Sequence, residues 1–258
     1  MENYHDAVVI QRSAKPVKMI FTGQITSMSD KVRKKIDAHW NGLIASGKKY
    51  LRGDVFTIKD IQETPSGLVI LATLTDYAHY IATVTSDAIC PQFPCRVVHT
   101  AVLIESSDAM LIFGEMAPHT SSPGRLQCAG GGITRDDLLP DNSLDIFNNA
   151  KTELAEETGL DLSDPKIGSM EFSYLKTGGK HDSISAIFVA RINSDADDII
   201  KIFTQHNKSL EEQNIVPEFS RLICIPKNSA AVAGFLTHAL PEMDEYLPSL
   251  LRIHSSVD

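Results

Sequence analysis

Residues 128–160 read CAGGGITRDDLLPDNSLDIFNNAKTELAEETGL: a glycine-rich turn, a polar loop, then a helix that carries three glutamates and ends on a glycine. No other stretch restricts the fold as much. Asn142 and Ser143 are good N-cap residues, and Asp145 falls in the first turn, where the helix dipole favours a negative charge. Gly159 supplies a left-handed stop. Phe147, Ala150 and Leu154 recur at helical spacing and are expected to face a core. Glu153, Glu156 and Glu157 fall at i, i+3 and i+4, so they share another face within about one turn. Carboxylates roughly 5–6 Å apart repel by about 3 kcal/mol per pair at an effective dielectric near 20. A divalent cation removes that repulsion, and hard oxygen clusters are what magnesium prefers. The alternative is a solvated acidic face whose charges are screened by water and salt.

At 258 residues and 43% apolar, the chain can bury one large core or two modest ones. The longest apolar runs, such as 67–74, are strand-sized and far short of a membrane span. The opening residues MENYHDAVVIQ lack the basic region and apolar core of a secretory signal. Cys90, Cys95, Cys128 and Cys224 show no regular framework and fit reduced thiols in a cytoplasmic protein. Cys90 and Cys95, in CPQFPC, could form half a zinc site, but no second pair follows at matching spacing; a proline-stiffened linker is the better reading. The net charge of −9 argues against a surface that binds nucleic acid. It leaves room for a small phosphorylated ligand held through a metal.

Taken in order, residues 1–95 are expected to form a separate α+β unit. Strands are predicted at 7–10 and 17–21, then a helix over 30–46 capped by Ser29, with Val32, Ile36 and Trp40 on one face. Strands at 55–61 and 68–74 flank Pro65-Ser66-Gly67 as a hairpin, and a short helix follows over 75–83. No nucleophile and base stand together in this unit. The prolines at 91 and 94 mark the boundary, and residues 96–258 form the second unit. It opens with a hairpin, strands 96–105 and 109–115. After the acidic helix come strands 166–175 and 182–192, a helix over 195–206, a strand over 218–225, and helices over 229–239 and 241–251. Mixed strands and helices of this kind predict an α/β (α+β) fold, a mixed sheet between helices.

A hairpin, a Gly-Gly turn, a loop and a helix ending E-L-A-E-E-T-G-L resemble the Nudix hydrolase superfamily, whose pattern is G-x5-E-x7-R-E-U-x-E-E-x-G-U, with U aliphatic. Glu153-Leu154, Glu156-Glu157 and Gly159-Leu160 match the second half, and Gly130 and Gly131 precede it. The resemblance covers about residues 96–225 and implies a Nudix-type α/β/α sandwich around a mixed sheet. Two positions depart from the pattern. Thr152 stands at the arginine, and Leu144 at the earlier glutamate when counted back from Thr152; the loop from Gly131 is seven residues longer than in the family. Set against the family pattern, Asp145 or an acid of the 136–141 loop is the expected substitute for that carboxylate.

The resemblance implies hydrolysis of a diphosphate that joins a nucleoside to another group, with Mg2+ or Mn2+ bound by Glu153, Glu156 and Glu157. Glu156 and Glu157 are expected as principal ligands, with Glu153 as a third ligand or the group that orients water. Backbone amides around Gly130, Gly131 and Gly132 are expected to approach substrate oxygens, since no side chain intervenes. Glu211, Glu212 and Glu218 are the candidates for a further acid acting as base. The implied partner is a small-molecule nucleotide, with no nucleic acid and no membrane; a homo-oligomer is compatible. Neither a four-Cys zinc ribbon nor the proline spacing of ADP-ribose pyrophosphatases is found. Trp40, the run 53–56 and Thr75–Tyr77 resemble, weakly, an accessory domain of nucleoside diphosphate sugar hydrolases. The rival reading is an inactive Nudix-fold module that binds a nucleotide or a protein partner.

Overall fold

The computed structural model describes residues 7–13, 15–239 and 242–256. Two mixed sheets organise them. The larger is built from β1 (Val9–Arg12), β5 (Val98–Glu105), β6 (Met110–Met116), β9 (Gly168–Thr177), β10 (Ile184–Ile192) and β11 (Phe219–Pro226), in the order β1-β9-β10-β5-β6-β11. A short β7 (Leu126–Gln127) also pairs with β6. Among the described residues of this sheet, only the β10–β5 strand pairing is parallel, with Ile184 opposite Val98 and Arg191 opposite Glu105. The smaller sheet runs β3 (Asp54–Thr64), β4 (Gly67–Asp76), β2 (Val17–Ile25) and β8 (Ser143–Leu144).

The period of two along β5 explains the layers. Val98, Val102 and Ile104 point to one side and pack with Met19, Phe56 and Ile70 of the smaller sheet. The same cluster holds Ile146, Ala150 and Leu154 of α3 (Ile146–Thr158) and Ile199 and Phe203 of α4 (Ala196–Glu212). Ala101 and Leu103 point to the other side, onto Val232 and Leu236 of α5 (Ser229–Ala239) and Leu247, Leu250 and Leu251 of α6 (Leu247–Ser255). Both faces of β5 and β10 are therefore dry, as a central parallel pair requires. The result is the α/β/α sandwich around a mixed sheet. A third, smaller cluster joins α1 (Asp30–Ala45) to α2 (Tyr77–Thr85) through Ile36, Trp40, Ala78 and Ile81.

Strand pairing crosses the expected boundary at residues 90–95 twice. β1 completes the larger sheet against β9, with Val9 opposite Thr177. In return β8 joins the smaller sheet, with Leu144 opposite Met19. That second exchange moves the start of the acidic helix. Asn142 and Ser143 are drawn into and beside β8 and do not cap; Asp145 is the N-cap, accepting from the Asn148 N–H at 3.0 Å. The helix begins at Ile146, which takes the inward position expected of Phe147. Phe147 is left 49% exposed, its ring edge-on to Phe188.

Other shifts have similar local causes. β4 continues through Asp76, whose side chain caps α2 by accepting from His79 N–H at 3.0 Å, so that helix starts two residues later than predicted. α4 extends past His206 to Glu212. The last helix begins at Leu247, later than the predicted 241; residue 241 lies outside the described residues. Ser29 caps α1 as expected, accepting from Val32 N–H.

Candidate active site

α3 carries its glutamates to a stretch of irregular backbone alongside β5. Gly159, at φ +79°, ends the helix with its N–H on the Ala155 carbonyl. The inward stripe of Ile146, Ala150 and Leu154 anchors α3 on the sheet, so the adjoining face, bearing Glu153 and Glu157, lies over residues 129–132. There the chain runs beside β5: the Val102 N–H donates to the Ala129 carbonyl at 2.6 Å, and Thr100 N–H to the Gly131 carbonyl at 2.9 Å.

Closeness constrains two of the three glycines. A Cβ on Gly130 (φ +150°) would lie 2.2 Å from the Thr100 carbonyl oxygen, and one on Gly131 2.1 Å from Oε1 of Glu153. A Cβ on Gly132 would meet nothing within 4 Å, so its lack of a side chain is not enforced by contact. The amides expected to face substrate oxygens are engaged internally at two of these three positions. Gly130 N–H donates to Glu157 Oε2 at 2.8 Å, and Gly131 N–H to Thr100 Oγ1 at 3.3 Å.

The three helix glutamates sit in unlike surroundings. Glu157 is buried, Glu153 partly buried and Glu156 exposed. Burial is the first cause that pushes the Glu153 carboxyl up to about 7; the charges of Glu156, Glu218 and Asp137 push the same way. Burial also raises Glu157 well above the usual carboxylate range, opposed by the Gly130 N–H and reinforced by Glu153 and Glu218. Glu218, just before β11, is held by its carbonyl accepting from Ala117 N–H at 2.7 Å. Glu218 is exposed, and its charge acts on both Glu153 and Glu157; Glu211 and Glu212, exposed at the C-terminal end of α4, act on neither. The structure thus separates three acids that spacing alone could not.

Among the described residues, none of Glu153, Glu156, Glu157 and Glu218 forms an ion pair with Lys, Arg or His. Nor do three or more His, Cys, Asp or Glu side chains among them stand in an arrangement ready to hold a metal ion. The donor set itself fits a divalent cation. It consists of hard carboxylate oxygens, partly desolvated, mutually repelling and without a cationic side chain to balance them.

One acid of the lengthened loop keeps the spacing of the pattern. Counted forward from Gly131, Asp137 follows after five residues, the spacing of the pattern's first acid, and the extra residues lie between Asp137 and Thr152. Counting from the glycine would have found it. Leu144, reached by counting back, is a buried β8 residue with a packing role. Asp145 is the helix cap. Asp137 is buried in a turn where it accepts from Thr134 N–H at 2.7 Å, and burial raises its carboxyl. Asn149, which no sequence pattern singled out, is buried between Asp137, Gly132 and Thr100.

The aromatic and acidic residues of the N-terminal pattern have packing duties. Trp40 and Tyr77 meet edge-on at 6.3 Å, Phe56 fills the main core, and Asp76 caps α2 and pairs with Arg33 and Arg52. Cys90, Cys95, Cys128 and Cys224 are free thiols, the first three buried. No helix among the described residues is long and apolar enough to cross a membrane.

No family model matches the chain, and no curated protein matches it. Among solved structures it is similar to DR0079 from Deinococcus radiodurans, with a TM-score of 0.42 and 15% identity over 62% of this chain and 83% of that one. It is also similar to the MutT protein from Methanosarcina mazei Go1, with a TM-score of 0.39 and 12% identity over 63% and 94% of the two chains. A third is the NUDIX domain of Shewanella oneidensis NrtR, determined with ADP ribose, with a TM-score of 0.35 and 12% identity over 66% and 92%.

Proposed function

We propose that this chain is a Nudix-type hydrolase that cleaves the diphosphate linkage of a nucleoside diphosphate derivative, using Mg2+ or Mn2+. The observation that supports it most directly is the buried acid cluster. Glu153 and Glu157 are desolvated over a glycine strand, with Glu218 adding charge and with no cationic partner among the described residues. A fold keeps such a cluster at a stability penalty unless a cation or a reaction uses it. Glu157 and Glu153, with Glu156 at the exposed edge, are the residues that would hold the ion. Bound there, the ion would neutralise phosphate oxygens and lower the pKa of a water molecule.

The protein's own residues supply the rest. Water adds to phosphorus, the bridging P–O bond breaks, and the proton of the water goes to a carboxylate. With Glu153 engaged in holding the ion, Glu218, whose charge acts on both Glu153 and Glu157, is the group placed to accept it. Gly132, with open space above it, is the member of the glycine run best able to admit a substrate oxygen. Residues 1–95 act in this reading as an accessory unit that closes the core over α3 and pins the loop before it. The free, buried thiols accord with a reducing, cytoplasmic setting.

The test is a panel of dinucleotides, nucleotide sugars and nucleoside triphosphates, assayed with Mg2+ and with Mn2+. At least one should release a nucleoside monophosphate, and Glu157→Gln should reduce that turnover at least 100-fold. Equal turnover by the variant would remove the site assignment. A non-catalytic nucleotide-binding module is the second reading, favoured by the exposure of Glu156 and by Thr152 in place of arginine. Tight nucleotide binding by calorimetry, with no product under either metal, would select it.

A further inference from the structure

The loop that departs most from the family pattern is tied to the acid site through one buried amide. Asn149 lies on α3, one turn before Glu153, and is 5% exposed. Its Oδ1 accepts from Thr100 Oγ1 at 2.7 Å. Its Nδ2 donates to Asp137 Oδ2 at 3.2 Å and to the Gly132 carbonyl at 3.3 Å. Thr100 in turn receives the Gly131 N–H on the same hydroxyl. A single side chain therefore joins the central strand, the glycine strand, the helix and the lengthened loop. Asp137 fastens the loop from its own side: it accepts from Thr134 N–H, and its carbonyl accepts from Asp145 N–H at 2.8 Å, immediately before α3. Thr152, by contrast, is exposed and takes no part in this network.

We propose that Asn149 is a positioning residue of the active site: its amide holds Asp137 and the 134–145 loop against the glycine stretch on which Glu153 lies. The chemistry favours this role over plain core packing. An asparagine buried at this depth is disfavoured unless its amide is satisfied, and here both ends are. An apolar residue would fill the helix face equally well but would leave Asp137 buried without this donor. A neutral donor also leaves the acid cluster uncompensated, whereas a cationic side chain there would compete with a metal ion for the same carboxylates. The active-site part of the role rests on the hydrolase reading above; the loop-fastening part does not.

The test uses Asn149→Asp, Asp137→Ala and the exchange double variant Asp137→Asn with Asn149→Asp. Asn149→Asp keeps the acceptor for Thr100 but sets two carboxylates against each other. The exchange variant restores one donor and one acceptor at unchanged net charge. Amide hydrogen exchange across 134–145 and Mn2+ titration by water proton relaxation are read at a temperature where each protein is folded by circular dichroism. Asn149→Asp and Asp137→Ala should speed loop exchange at least tenfold and weaken Mn2+ binding at least tenfold. The exchange variant should return loop exchange to within threefold of the parent. Loop exchange and Mn2+ affinity within twofold of the parent in Asn149→Asp would overturn the proposal, as would an exchange variant whose loop stays as open as that of the single variants. If the parent binds no Mn2+, the hydrolase reading fails, while the exchange measurement still decides the fastening role.

Discussion

The carboxylate of Glu157 accepts a hydrogen bond from the backbone N–H of Gly130 at 2.8 Å, joining the end of an acidic helix to a glycine strand 27 residues earlier. The contact offsets part of the burial that drives the Glu157 carboxyl upward. It also fixes the distance between the helix face and the strand, so the neighbouring Glu153 is pressed directly onto Gly131.

That contact predicts a graded response to methyl groups along the glycine run. Gly131→Ala would place a Cβ 2.1 Å from Glu153 Oε1, so the carboxylate must move. Mn2+ affinity and turnover should fall at least tenfold with only a small change in Tm. Gly132→Ala meets nothing within 4 Å and should leave Mn2+ affinity within twofold, while its methyl group enters the space assigned to a substrate oxygen and should lower turnover. Gly130→Ala meets the Thr100 carbonyl at 2.2 Å with φ at +150°, and should lower stability by about 2 kcal/mol or more in urea titrations.

Metal-free protein should gain stability when Glu153 loses its charge. A carboxyl raised from 4.5 to about 7 contributes stability that is fully present below pH 4.5 and is lost as pH rises through 7. Glu153→Gln removes that loss. In EDTA the variant should be more stable than the parent at pH 8, by up to about 3 kcal/mol, and the two should converge near pH 4. A parent that is the more stable of the two at pH 8 would mean that Glu153 is not desolvated as described.

Lys176 is 1% exposed, and its ammonium binds Glu245 at 2.8 Å and Ser183 Oγ at 2.9 Å. Removing one partner strands the other. Glu245→Ala should cost about 1–3 kcal/mol by chemical denaturation, since Glu245 is itself exposed, and adding Lys176→Met should recover more than half of it. This region also anchors the segment before α6, where the Tyr246 hydroxyl accepts from Cys128 N–H at 3.1 Å. The single variant should therefore loosen the entry to the glycine strand as well.

His99, hydrogen-bonded to Ser185 Oγ at 2.8 Å, is pushed down to about 4, first by burial and then by Lys176. Its neutral ring is the form the fold accepts. Stability from this group is present above about pH 6.5 and is lost as pH falls from there towards 4. Over the same range the acid cluster gains stability, so the measurement is the difference between parent and variant. His99→Gln should flatten the decline, by about 3 kcal/mol across the window. Parallel stability curves for the two proteins between pH 7 and 4 would contradict the assignment.

Much of the local structure was legible before any coordinates. Gly159 as a helix stop, Ser29 as a cap and the 65–67 hairpin turn are short-range effects, set by backbone conformation and by groups a few residues apart. The spacing of Glu153, Glu156 and Glu157 likewise placed them on neighbouring positions of α3. Periodicity could not tell which of these acids would be buried, because Phe147 and Ile146 are both credible inward residues until β8 decides where the helix begins.

Residue spacing alone specifies a helix with an acidic face behind a glycine-rich stretch, and the layering of apolar strands between helices. Tertiary structure decided which acids meet. Glu218 rather than Glu211 or Glu212 acts on Glu153 and Glu157, Asp137 lies against Asn149 while Asp145 caps the helix, and Asn149 ties the loop to Thr100 across 49 residues of chain. The physical reason is range. Helix spacing and caps act within a turn or two, whereas burial and the meeting of like charges depend on strands paired from opposite ends of the chain, as β1 with β9 and β2 with β8.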